Sequence, residues 1–353
     1  MSFASKLIKW YQANGRDLPW RNTQNPYIIW LSEVILQQTR VEQGLPYFNR
    51  FLAHYPNVTK FAQADEEEIL RLWQGLGYYS RARNMHKAAN TVLNDFAGDF
   101  PTAYKQLVSL SGVGDYTAAA ISSFSSNEAK AVLDGNVFRV LARYFGIDEP
   151  INGTAGKKIF AQLADELLDK KQPGTYNQAI MDFGATHCKP KGPLCETCIF
   201  RLECVAYKQD LVSLLPVKNK AKASRNRYFH YFIVMEGDKI MMTQRGAGDV
   251  WTNLFEFPMI ESESDLNLTQ LFDHELFRSF FSPDACLEPI GGLVKQVLSH
   301  QNIYARFYFL ANVQSLRHKK MEWDYIFLEK IDKLAKHKLI FSFLEKNKEL
   351  INL

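Results

Sequence analysis

The sequence predicts a two-domain protein in which an all-α domain precedes a smaller α+β domain. Residues 1–207 carry apolar side chains at helical spacing, as in the series Ile69, Leu72, Trp73 and Leu76. Residues 208–226 form a linker that ends in a basic run, and strand-like segments follow over residues 227–353. A length of 353 residues is sufficient for two domains of ordinary size.

The composition is that of a globular protein with apolar cores. Apolar residues make up 46% of the chain, and no run approaches the roughly 18 apolar residues that a membrane span needs. Residues 1–16 lack the apolar core of a signal peptide, which predicts a cytoplasmic protein. The absence of long extensions favours a bacterial, nucleoid-associated one. The net charge of +4 permits a polyanionic partner without requiring one.

Local signals predict where several elements begin and end. Pro101 and Thr102 predict the start of a helix, and Gly146 predicts the end of another at Phe145. Strands are predicted over Tyr228–Met235, Lys239–Arg245 and Ile303–Val313, with helical patterns over Leu268–Phe280 and after Tyr325. Residues 218–227 carry five basic and no acidic side chains, which is typical of a solvated linker or of a contact to nucleic acid.

Four cysteines within seventeen residues predict a shared metal centre. Cys188, Cys195, Cys198 and Cys204 are separated by six, two and five residues. The segment around them is too short and polar to form an apolar core, so a cluster or a metal would have to stabilise it. Local chemistry places a four-iron cluster slightly ahead of zinc, and a pair of disulfides third. Disulfides are disfavoured because no export signal is present and Cys286 stands alone.

The sequence Gly112-Val113-Gly114 predicts a tight turn between two helices. Val113 would anchor inward, while the glycines expose backbone N–H groups and the following helix presents its positive end. Such a turn is suited to bind a DNA phosphate. Taken alone, however, the motif favours an ordinary corner between helices.

Glu33 is the only charged residue in the apolar helical stretch Tyr27–Leu36. Burial there would raise the pKa of its carboxyl group, so that the acid form persists near neutral pH. That property suits a general acid. The alternative is a structural glutamate paired with a cation such as Arg40.

Asp134 precedes a helix predicted over Val137–Phe145, whose positive end would favour the ionised carboxylate. Asn136 could cap this helix; alternatively Asp134 itself merely caps it, which is the commoner use of such an aspartate. A neutral Glu33 and a charged Asp134 would form the kind of pair that cleaves glycosidic bonds through a cationic transition state.

Together, the glycine hairpin, an aspartate twenty residues later and the six-two-five cysteine spacing resemble the endonuclease III superfamily of helix-hairpin-helix DNA glycosylases. The resemblance covers residues 5–207 and implies an all-α catalytic domain with the helix-hairpin-helix over about 102–125. It also implies a [4Fe-4S] cluster held by the four cysteines of segment 188–204. Members that cut the DNA strand carry a lysine where this chain has Tyr116, so Schiff-base formation is not expected.

Further motifs are similar to the MutY family of adenine glycosylases within that superfamily. They are Leu18-Pro19-Trp20-Arg21, the stretch Trp30–Val41 and the stretch Gly75–Arg81. The resemblance implies that Glu33 protonates adenine and that Asp134 stabilises or traps the sugar cation. The other implied contacts are Tyr116 and Asn136 lining the site, Arg21 at the flipped adenine, Gln38 and Tyr78 wedged into the helix, and Leu36 and Thr39 near the orphaned base.

The second domain resembles the MutT/Nudix-like recognition domain of the same family. The motifs are Gln244-Arg245, Trp251 and Phe255–Pro258, with Asn253 and Phe255 departing from the usual glycine and tryptophan. The acidic metal-binding helix of nucleotide-hydrolysing relatives is missing after Gly248, so pyrophosphohydrolase activity is not expected. Leu298-Ser299-His300 resembles the loop that inspects 8-oxoguanine, which implies contacts to that base by Ser299 and His300.

The resemblance therefore implies a monomeric, monofunctional DNA glycosylase that excises adenine opposite 8-oxoguanine or guanine in double-stranded DNA after flipping the base. No membrane partner is expected. One alternative is a pyrimidine-damage glycosylase with AP lyase activity, against which Tyr116 argues. Another is a non-catalytic DNA-binding iron–sulfur protein, against which the presence of both Glu33 and Asp134 argues.

Overall fold

The computed structural model describes residues 1–220, 224–317, 319–320 and 322–351, so residues 221–223 of the predicted basic linker lie outside the described residues. The chain divides into two compact units. The first unit comprises Met1–Ala64 and Arg83–Lys220, and the second comprises Asp65–Ala82 and the described part of Ala221–Leu353. Among the described helices, none combines the length and the apolar character that a membrane crossing requires.

The chain up to Lys208 consists of helices joined by turns and irregular segments. In order, its helices are α1 (Phe3–Asn14), α2 (Pro26–Leu36), α3 (Val41–His54), α4 (Val58–Ala62), α5 (Glu66–Leu72), α6 (Ser80–Asp95), α7 (Tyr104–Leu107), α8 (Asp115–Ser126), α9 (Gly135–Phe145), α10 (Thr154–Leu167), α11 (Pro173–Asp182) and α12 (Val205–Lys208). Helix α5 and the first residues of α6 belong to the second unit, and the other helices to the first. The first unit therefore has the all-α architecture that the sequence predicts.

Capping residues explain where several of these helices begin and end. The side chains of Ser2, Asn25 and Asn57 accept backbone N–H groups at the starts of α1, α2 and α4. Gly146 ends α9 in a left-handed conformation with φ 70°, as predicted. The helix predicted to open at Pro101 begins only at Tyr104, because the residues before it stay extended.

The core of the first unit lies between α1, α8, α9, α10 and α11. Its members share nearly complete burial and include Leu7, Ala120, Val140, Phe160, Ile180 and Phe183. Fully burying side chains of this size stabilises the fold by about 1.5–3 kcal/mol each. This core positions the ends of α8, α9 and α11, where the polar residues of the candidate site lie.

The second unit is α+β, as predicted. Its strands are β1 (Arg225–Ile233), β2 (Met235–Glu236), β3 (Lys239–Gln244), β4 (Phe255–Glu256), β5 (Met259–Ser262), β6 (Leu287–Val297), β7 (Gln301–Leu310) and β8 (Trp323–Phe327), and its C-terminal helices are α13 (Leu268–Asp273), α14 (Glu275–Phe280) and α15 (Lys338–Lys346). One sheet has the order β5-β1-β7-β6, with β1 and β7 parallel. In the other, β2, β3 and β4 are neighbours and β8 also pairs with β3.

Alternation along β1 produces a core on each face of the larger sheet. Phe229 and Tyr231 pack with residues of α15 on one face, whereas Phe232 packs with residues of α13 and α14 on the other. The predicted strands correspond to β1, β3 and β7, although β1 begins three residues earlier than predicted. The sequence did not predict β6, because most of this strand is exposed and two glycines interrupt its pattern.

Candidate active site

Glu33 lies in α2 with its carboxyl group almost fully buried. The side chain of Asn25 accepts the N–H of Tyr27 at 3.0 Å, and Pro26 occupies the first helical position. Both residues favour a helix start at this point of the chain. Most neighbouring positions of the helix are apolar and buried, and Glu33 is 8% exposed. Helix α2 therefore carries a single carboxyl group into a largely nonpolar interior.

Burial raises the pKa of Glu33 to about 7, because the charged form is poorly solvated there. The hydroxyl of Tyr116 donates a hydrogen bond of 2.7 Å to Oε2, which lowers the pKa, whereas the charge of Asp134 raises it. Among the described residues Glu33 forms no ion pair, so the alternative pairing with Arg40 is not found. A carboxyl group of this kind can hold a proton at neutral pH and deliver it to a ligand.

Asp134 both caps α9 and faces the same cavity as Glu33. Its Oδ1 accepts the N–H groups of Asn136 and Val137, and its Oδ2 accepts the side-chain amide of Asn136, each at 2.8 Å. Asp134 rather than Asn136 is thus the cap, and α9 begins at Gly135. Burial raises the pKa of Asp134, although these donors and Arg139 lower it. The sequence analysis expected the positive end of α9 to favour the ionised carboxylate of Asp134. That expectation did not include the burial of Asp134, which favours the neutral form.

Asn136 is held in one orientation between Asp134 and Arg139. Its side-chain oxygen accepts Nη2 of Arg139 at 2.8 Å, so its amide nitrogen is the atom that reaches Asp134. Arg139 also donates to the carbonyl oxygens of Gly184 at 2.7 Å and Cys188 at 2.8 Å. The carboxylate of Asp134 is therefore fixed by the backbone of α9 and by an oriented amide.

Arg21 is held at the cavity by a buried aspartate of α11. Asp182 is fully buried and accepts both terminal nitrogens of Arg21, together with Nε and Nη2 of Arg16 at 3.0 and 2.6 Å. Burial raises the pKa of Asp182, but the two arginines outweigh it and the net shift is downward. Asp182 is therefore an anion that positions the guanidinium of Arg21.

Replacing Asp182 by asparagine is expected to loosen Arg21 and to destabilise the first unit. The substitution keeps the shape but leaves two guanidinium groups without their counter-charge, which typically costs about 3 kcal/mol. Thermal denaturation should show the loss, and KM for a substrate bound in this cavity should rise more than kcat falls. An unchanged melting temperature together with unchanged KM would contradict the positioning role, and Asp95→Asn, at an exposed aspartate of the same unit, is the matched control.

A cavity of about 390 Å³ brings the predicted residues together. Its wall contains Arg21, Glu33, Leu36, Thr39, Tyr116, Asp134 and Asn136. The volume lies in the range typical of small-ligand sites, about 300–1,000 Å³. Seven residues predicted from separate segments therefore converge on one space that is large enough to enclose a base.

The cavity wall also contains residues that the sequence analysis missed, among them Phe124, Gln178 and Met181. Gln178 accepts the Tyr11 hydroxyl at 2.8 Å through Oε1, so this contact does not use its amide N–H groups. No sequence signal marked these three side chains. Asp182 was findable, because it is a single acid in an apolar helical stretch, as Glu33 is.

The glycine hairpin adopts the predicted form. Val113 is buried, Gly112 has φ 75°, and α8 starts directly after Gly114. A Cβ atom at Gly112 would lie 2.7 Å from the Cβ of Asn84, so only glycine fits this turn. The first N–H groups of α8 have no partner within their own helix, and at Gly114 an added Cβ atom would meet no neighbour within 4 Å.

The two predicted wedge residues have unusual backbones. Gln38 and Tyr78 adopt left-handed conformations with φ 58° and 48°, which are uncommon outside glycine. Both side chains are exposed, the ring of Tyr78 by 50%. Such local strain accumulates at functional sites, where the surrounding structure holds it in place.

In the second unit, the hydroxyl groups of Tyr78 and Ser299 lie 2.7 Å apart in a hydrogen bond. Ser299 and His300 form the exposed tip between β6 and β7, closed by the Leu298 N–H to Gln301 carbonyl bond of 2.8 Å. The segment around Tyr78 is fixed nearby, since Tyr79 donates to the carbonyl of Lys336 at 3.0 Å. One predicted wedge residue and one predicted inspecting residue are therefore in direct contact.

Ion pairs join residues on either side of the segment between β3 and β4, where the described residues after Gly248 form turns. Asp249 accepts Arg227 at 2.7 Å and Arg245 at 2.6 Å. Arg245 also pairs with Glu256 at 2.6 Å, and Glu256 accepts the Tyr231 hydroxyl at 2.8 Å. Both acids are therefore paired with arginines.

The four clustered cysteines line one small cavity with Arg143, and all four thiols are unpaired and half-buried. Arg143 donates to the Cys188 sulfur at 3.5 Å, and the N–H of Phe200 to the Cys198 sulfur at 3.4 Å. Within the described residues, no three His, Cys, Asp or Glu side chains are placed to hold a single metal ion. A donor set of four thiols facing one cavity fits a polynuclear cluster of the iron–sulfur type.

Comparisons with known proteins agree with this geometry. Residues 31–167 match a family model described as HhH-GPD superfamily base excision DNA repair protein. The chain is 36% identical over 265 residues to an adenine DNA glycosylase of Buchnera aphidicola subsp. Schizaphis graminum, covering 74% of this chain and 76% of the relative. It is 40% identical over 217 residues to the adenine DNA glycosylase of Mus musculus, covering 59% and 42%.

Solved structures resemble the helical part of the chain. A thermostable thymine-DNA glycosylase superposes with a TM-score of 0.55 and 30% identity, covering 59% of this chain and 95% of that one. Endonuclease III in a non-covalent DNA complex superposes with a TM-score of 0.51 and 20% identity, covering 59% and 94%. The second likeness concerns the fold alone.

Proposed function

This chain belongs to the adenine DNA glycosylase family, and on that premise we propose that it excises adenine opposite 8-oxoguanine or guanine in duplex DNA. The observation that carries the proposal is the carboxyl group of Glu33. It has a pKa of about 7, accepts the Tyr116 hydroxyl, and shares a cavity of base-sized dimensions with Asp134. An acid and a carboxylate in one closed site suit cleavage of an N-glycosyl bond.

Glu33 acts first, as the general acid. Adenine is a poor leaving group as an anion, and protonation of its ring makes the bond to the sugar easier to break. A proton on Glu33 near neutral pH is available for this step because burial keeps it there. The resulting carboxylate can then accept a proton from the water that attacks the sugar.

Asp134 acts on the sugar. As the base departs, positive charge develops on the sugar ring, and the Asp134 carboxylate stabilises or traps it. The N–H donors of Asn136 and Val137 hold this carboxylate in place, so little reorganisation is needed during the reaction. Among the described residues none lining this cavity is a lysine, and Tyr116 occupies the position of the lyase amine. The proposed enzyme is therefore monofunctional.

The base reaches this cavity only outside the DNA stack. Arg21, fixed by Asp182, would contact the flipped adenine, and Leu36 and Thr39 would lie near the base left behind. Gln38 and Tyr78, with their exposed left-handed backbones, would fill the gap in the duplex. The N–H groups around Gly112, Val113 and Gly114 would bind a DNA phosphate.

The cysteine segment would hold a [4Fe-4S] cluster through Cys188, Cys195, Cys198 and Cys204. Such a cluster supplies covalent cross-links to a segment that has little apolar core of its own. The residues around it bind the segment to the helices, as when Arg143 donates to the Leu215 carbonyl at 3.0 Å and to the Lys189 carbonyl at 2.9 Å.

The MutT/Nudix-like second domain would inspect the opposite base through Ser299 and His300. 8-Oxoguanine differs from guanine by a carbonyl and a ring N–H, both of which a hydroxyl group can address. Because Ser299 already pairs with Tyr78 at 2.7 Å, its hydroxyl is oriented before DNA arrives.

Replacing Ser299 by alanine should reduce the preference for 8-oxoguanine over guanine by about tenfold, which is the value of one hydrogen bond of about 1.4 kcal/mol. The ratio of single-turnover rates on the two duplexes measures this preference. Ser264→Ala, at an exposed serine of the same domain, is the matched control. An unchanged ratio in the Ser299 variant would remove Ser299 from the recognition site.

The experiment that tests the proposal compares duplexes in which adenine lies opposite 8-oxoguanine, guanine or thymine. Released bases are separated and identified by mass under single-turnover conditions. Free adenine from the first two duplexes and little from the third supports the proposed specificity. A fourth duplex carries a damaged pyrimidine. Release of that base, or of thymine, without release of adenine would contradict the proposal and would favour the pyrimidine-glycosylase alternative.

A further inference from the structure

Among the described residues, no element covers one half-face of the sheet β5-β1-β7-β6, next to the Ser299–His300 tip. From its composition we propose that this half-face binds the backbone of the DNA strand that carries the base opposite the target adenine. The proposal rests on the proposed function. It assigns a contact to Tyr228, Tyr304 and Lys295, which lie outside the cavity and outside the tip.

The strand register places these three side chains in one row. Tyr228 of β1 pairs with Tyr304 of β7, and Tyr304 pairs with Lys295 of β6. Directly paired residues project from the same face of a sheet. Asn226, Asn302 and Val297 form the next row on this face, because they lie two residues away along their strands.

Contacts within the half-face arrange it as a flat polar surface. The rings of Tyr228 and Tyr304 stack with centroids 5.0 Å apart and planes at 16°. Lys295 Nζ lies 5.2 Å from the Tyr304 centroid, and Asn302 donates to the side-chain oxygen of Asn226 at 2.9 Å. The surface therefore presents stacked aromatic rings bordered by a cation and by amides.

This part of the face remains open to solvent. Farther along the same strands, Phe232 and Tyr308 lie beneath α13 and α14 in an apolar core. By contrast, Lys295 and Asn226 are exposed, Val297 is 63% exposed, and both tyrosines are only half-buried. Within the described part of the chain, Lys295 has no acidic partner and neither phenol hydroxyl has a hydrogen-bond partner. These groups are available to a ligand.

The chemistry of the half-face matches a DNA strand. Unpaired ammonium and phenol groups bind phosphate oxygens, and exposed aromatic rings contact sugars and bases. If two copies of this chain paired through this half-face, each would bring its own Lys295 to the same row. Repulsion between the two lysines disfavours such an association.

The half-face is continuous with the Ser299–His300 tip, and this continuity gives the position of the DNA contact. Lys295 lies near the end of β6 and Ser299 four positions further, in the turn after the strand, so the two are at most about 13 Å apart at the rise of an extended strand. DNA rises about 3.4 Å per nucleotide along one strand, so Lys295 should reach a phosphate within about four nucleotides of the inspected base.

Lys295→Gln tests the surface in the full-length protein. The ligand is a duplex with 8-oxoguanine opposite 2′-fluoro-2′-deoxyadenosine, a sugar that resists loss of its base. Binding should weaken about fivefold to tenfold, and the slope of log affinity against log salt should fall by about one, as for one lost phosphate contact. Tyr304→Leu should weaken binding at least fivefold. When enzyme is saturating, the variants should excise adenine at the same rate as the wild type.

Lys239→Gln is the matched control, since Lys239 also lies over an aromatic ring in the same unit, 4.6 Å from the Phe327 centroid. It should change neither affinity nor salt slope. A second arm replaces single phosphates near the lesion by uncharged methylphosphonates. A replacement in the 8-oxoguanine strand should weaken binding of the wild type but not further weaken that of Lys295→Gln.

Three outcomes would overturn the inference. Affinity and salt slope could be the same in Lys295→Gln and wild type, or the methylphosphonate effect could occur only in the adenine strand. Sedimentation could also show that the half-face joins two copies of the chain. Absence of adenine excision by the wild type would instead contradict the proposed function, so the two failures are distinguishable.

Discussion

Replacing Glu33 by glutamine is expected to reduce the single-turnover rate of adenine excision at least a thousandfold while DNA affinity stays within about threefold of wild type. Glutamine keeps the size and the polarity of the side chain, and it can still accept the Tyr116 hydroxyl. It cannot deliver a proton to the base. The measurement is a single-turnover excision assay, together with equilibrium binding to the same adenine:8-oxoguanine duplex.

The pH profile supplies the control for this prediction. The acid role of Glu33 requires its protonated form, and its pKa is about 7, so the wild-type rate should fall about tenfold per pH unit well above pH 7. The rate should also fall at acidic pH, where the Asp134 carboxylate, whose pKa burial raises, takes up a proton. Glu66→Gln, at an acid outside the cavity, should keep both the rate and the profile. A Glu33→Gln enzyme that excises at the wild-type rate would contradict the general-acid role.

Asp134→Asn is expected to have the second largest effect, a loss of excision of about a thousandfold. The substitution removes the negative charge that stabilises the sugar cation. The cap should survive, because asparagine accepts the N–H groups of Asn136 and Val137 as aspartate does. The amide of Asn136 loses its acceptor at Oδ2, so we expect a loss of stability of about 1 kcal/mol and no more.

Two measurements distinguish the role of the Asp134 charge in excision from the role of Asp134 as the cap of α9. Thermal denaturation should place Asp134→Asn within a few degrees of wild type, whereas Asp134→Ala should melt lower because it removes the cap. Both variants should be equally slow in single-turnover excision. If Asp134→Asn retained wild-type excision and only Asp134→Ala lost it, Asp134 would be a structural cap without a part in the chemistry.

Glu33 shows how much of the site was predictable. A single acid in an apolar helical run predicts burial and a raised pKa, and the structure has both. The hydrogen-bond donor of Glu33 was not predictable in this way, because Tyr116 lies eighty-three residues away and reaches Glu33 only after α2 and α8 pack together. The sequence suggested Arg40 as the partner of Glu33, because a sequence shows which residues are close along the chain but not which are close in space.

The same limit applies to Arg21. Its motif implied a contact to the base, but Asp182, which holds its guanidinium, is brought to it by packing of α11. In the second unit the hydrogen bond between Tyr78 and Ser299 spans 221 residues. Local patterns predicted the helices and several strands, because caps and periodicity are local properties. Contacts between distant segments depend on how these elements pack.

The edge strand β6 was missed for a different physical reason. Strand prediction relies on alternating burial, and β6 has exposed residues at most positions together with Gly291 and Gly292. Its pairing with β7 supplies the backbone hydrogen bonds that its own side chains do not predict. The open half-face around Lys295 became visible only through that register.

The most direct test of the central claim is a single-turnover assay on duplex DNA that contains adenine opposite 8-oxoguanine, analysed with and without alkali after the reaction. We predict release of free adenine with strand breakage only after alkali, as expected of an enzyme whose described cavity residues include Glu33 and Asp134 but no lysine. Breakage without alkali would contradict the monofunctional mechanism, and no release of adenine would contradict the proposed function itself.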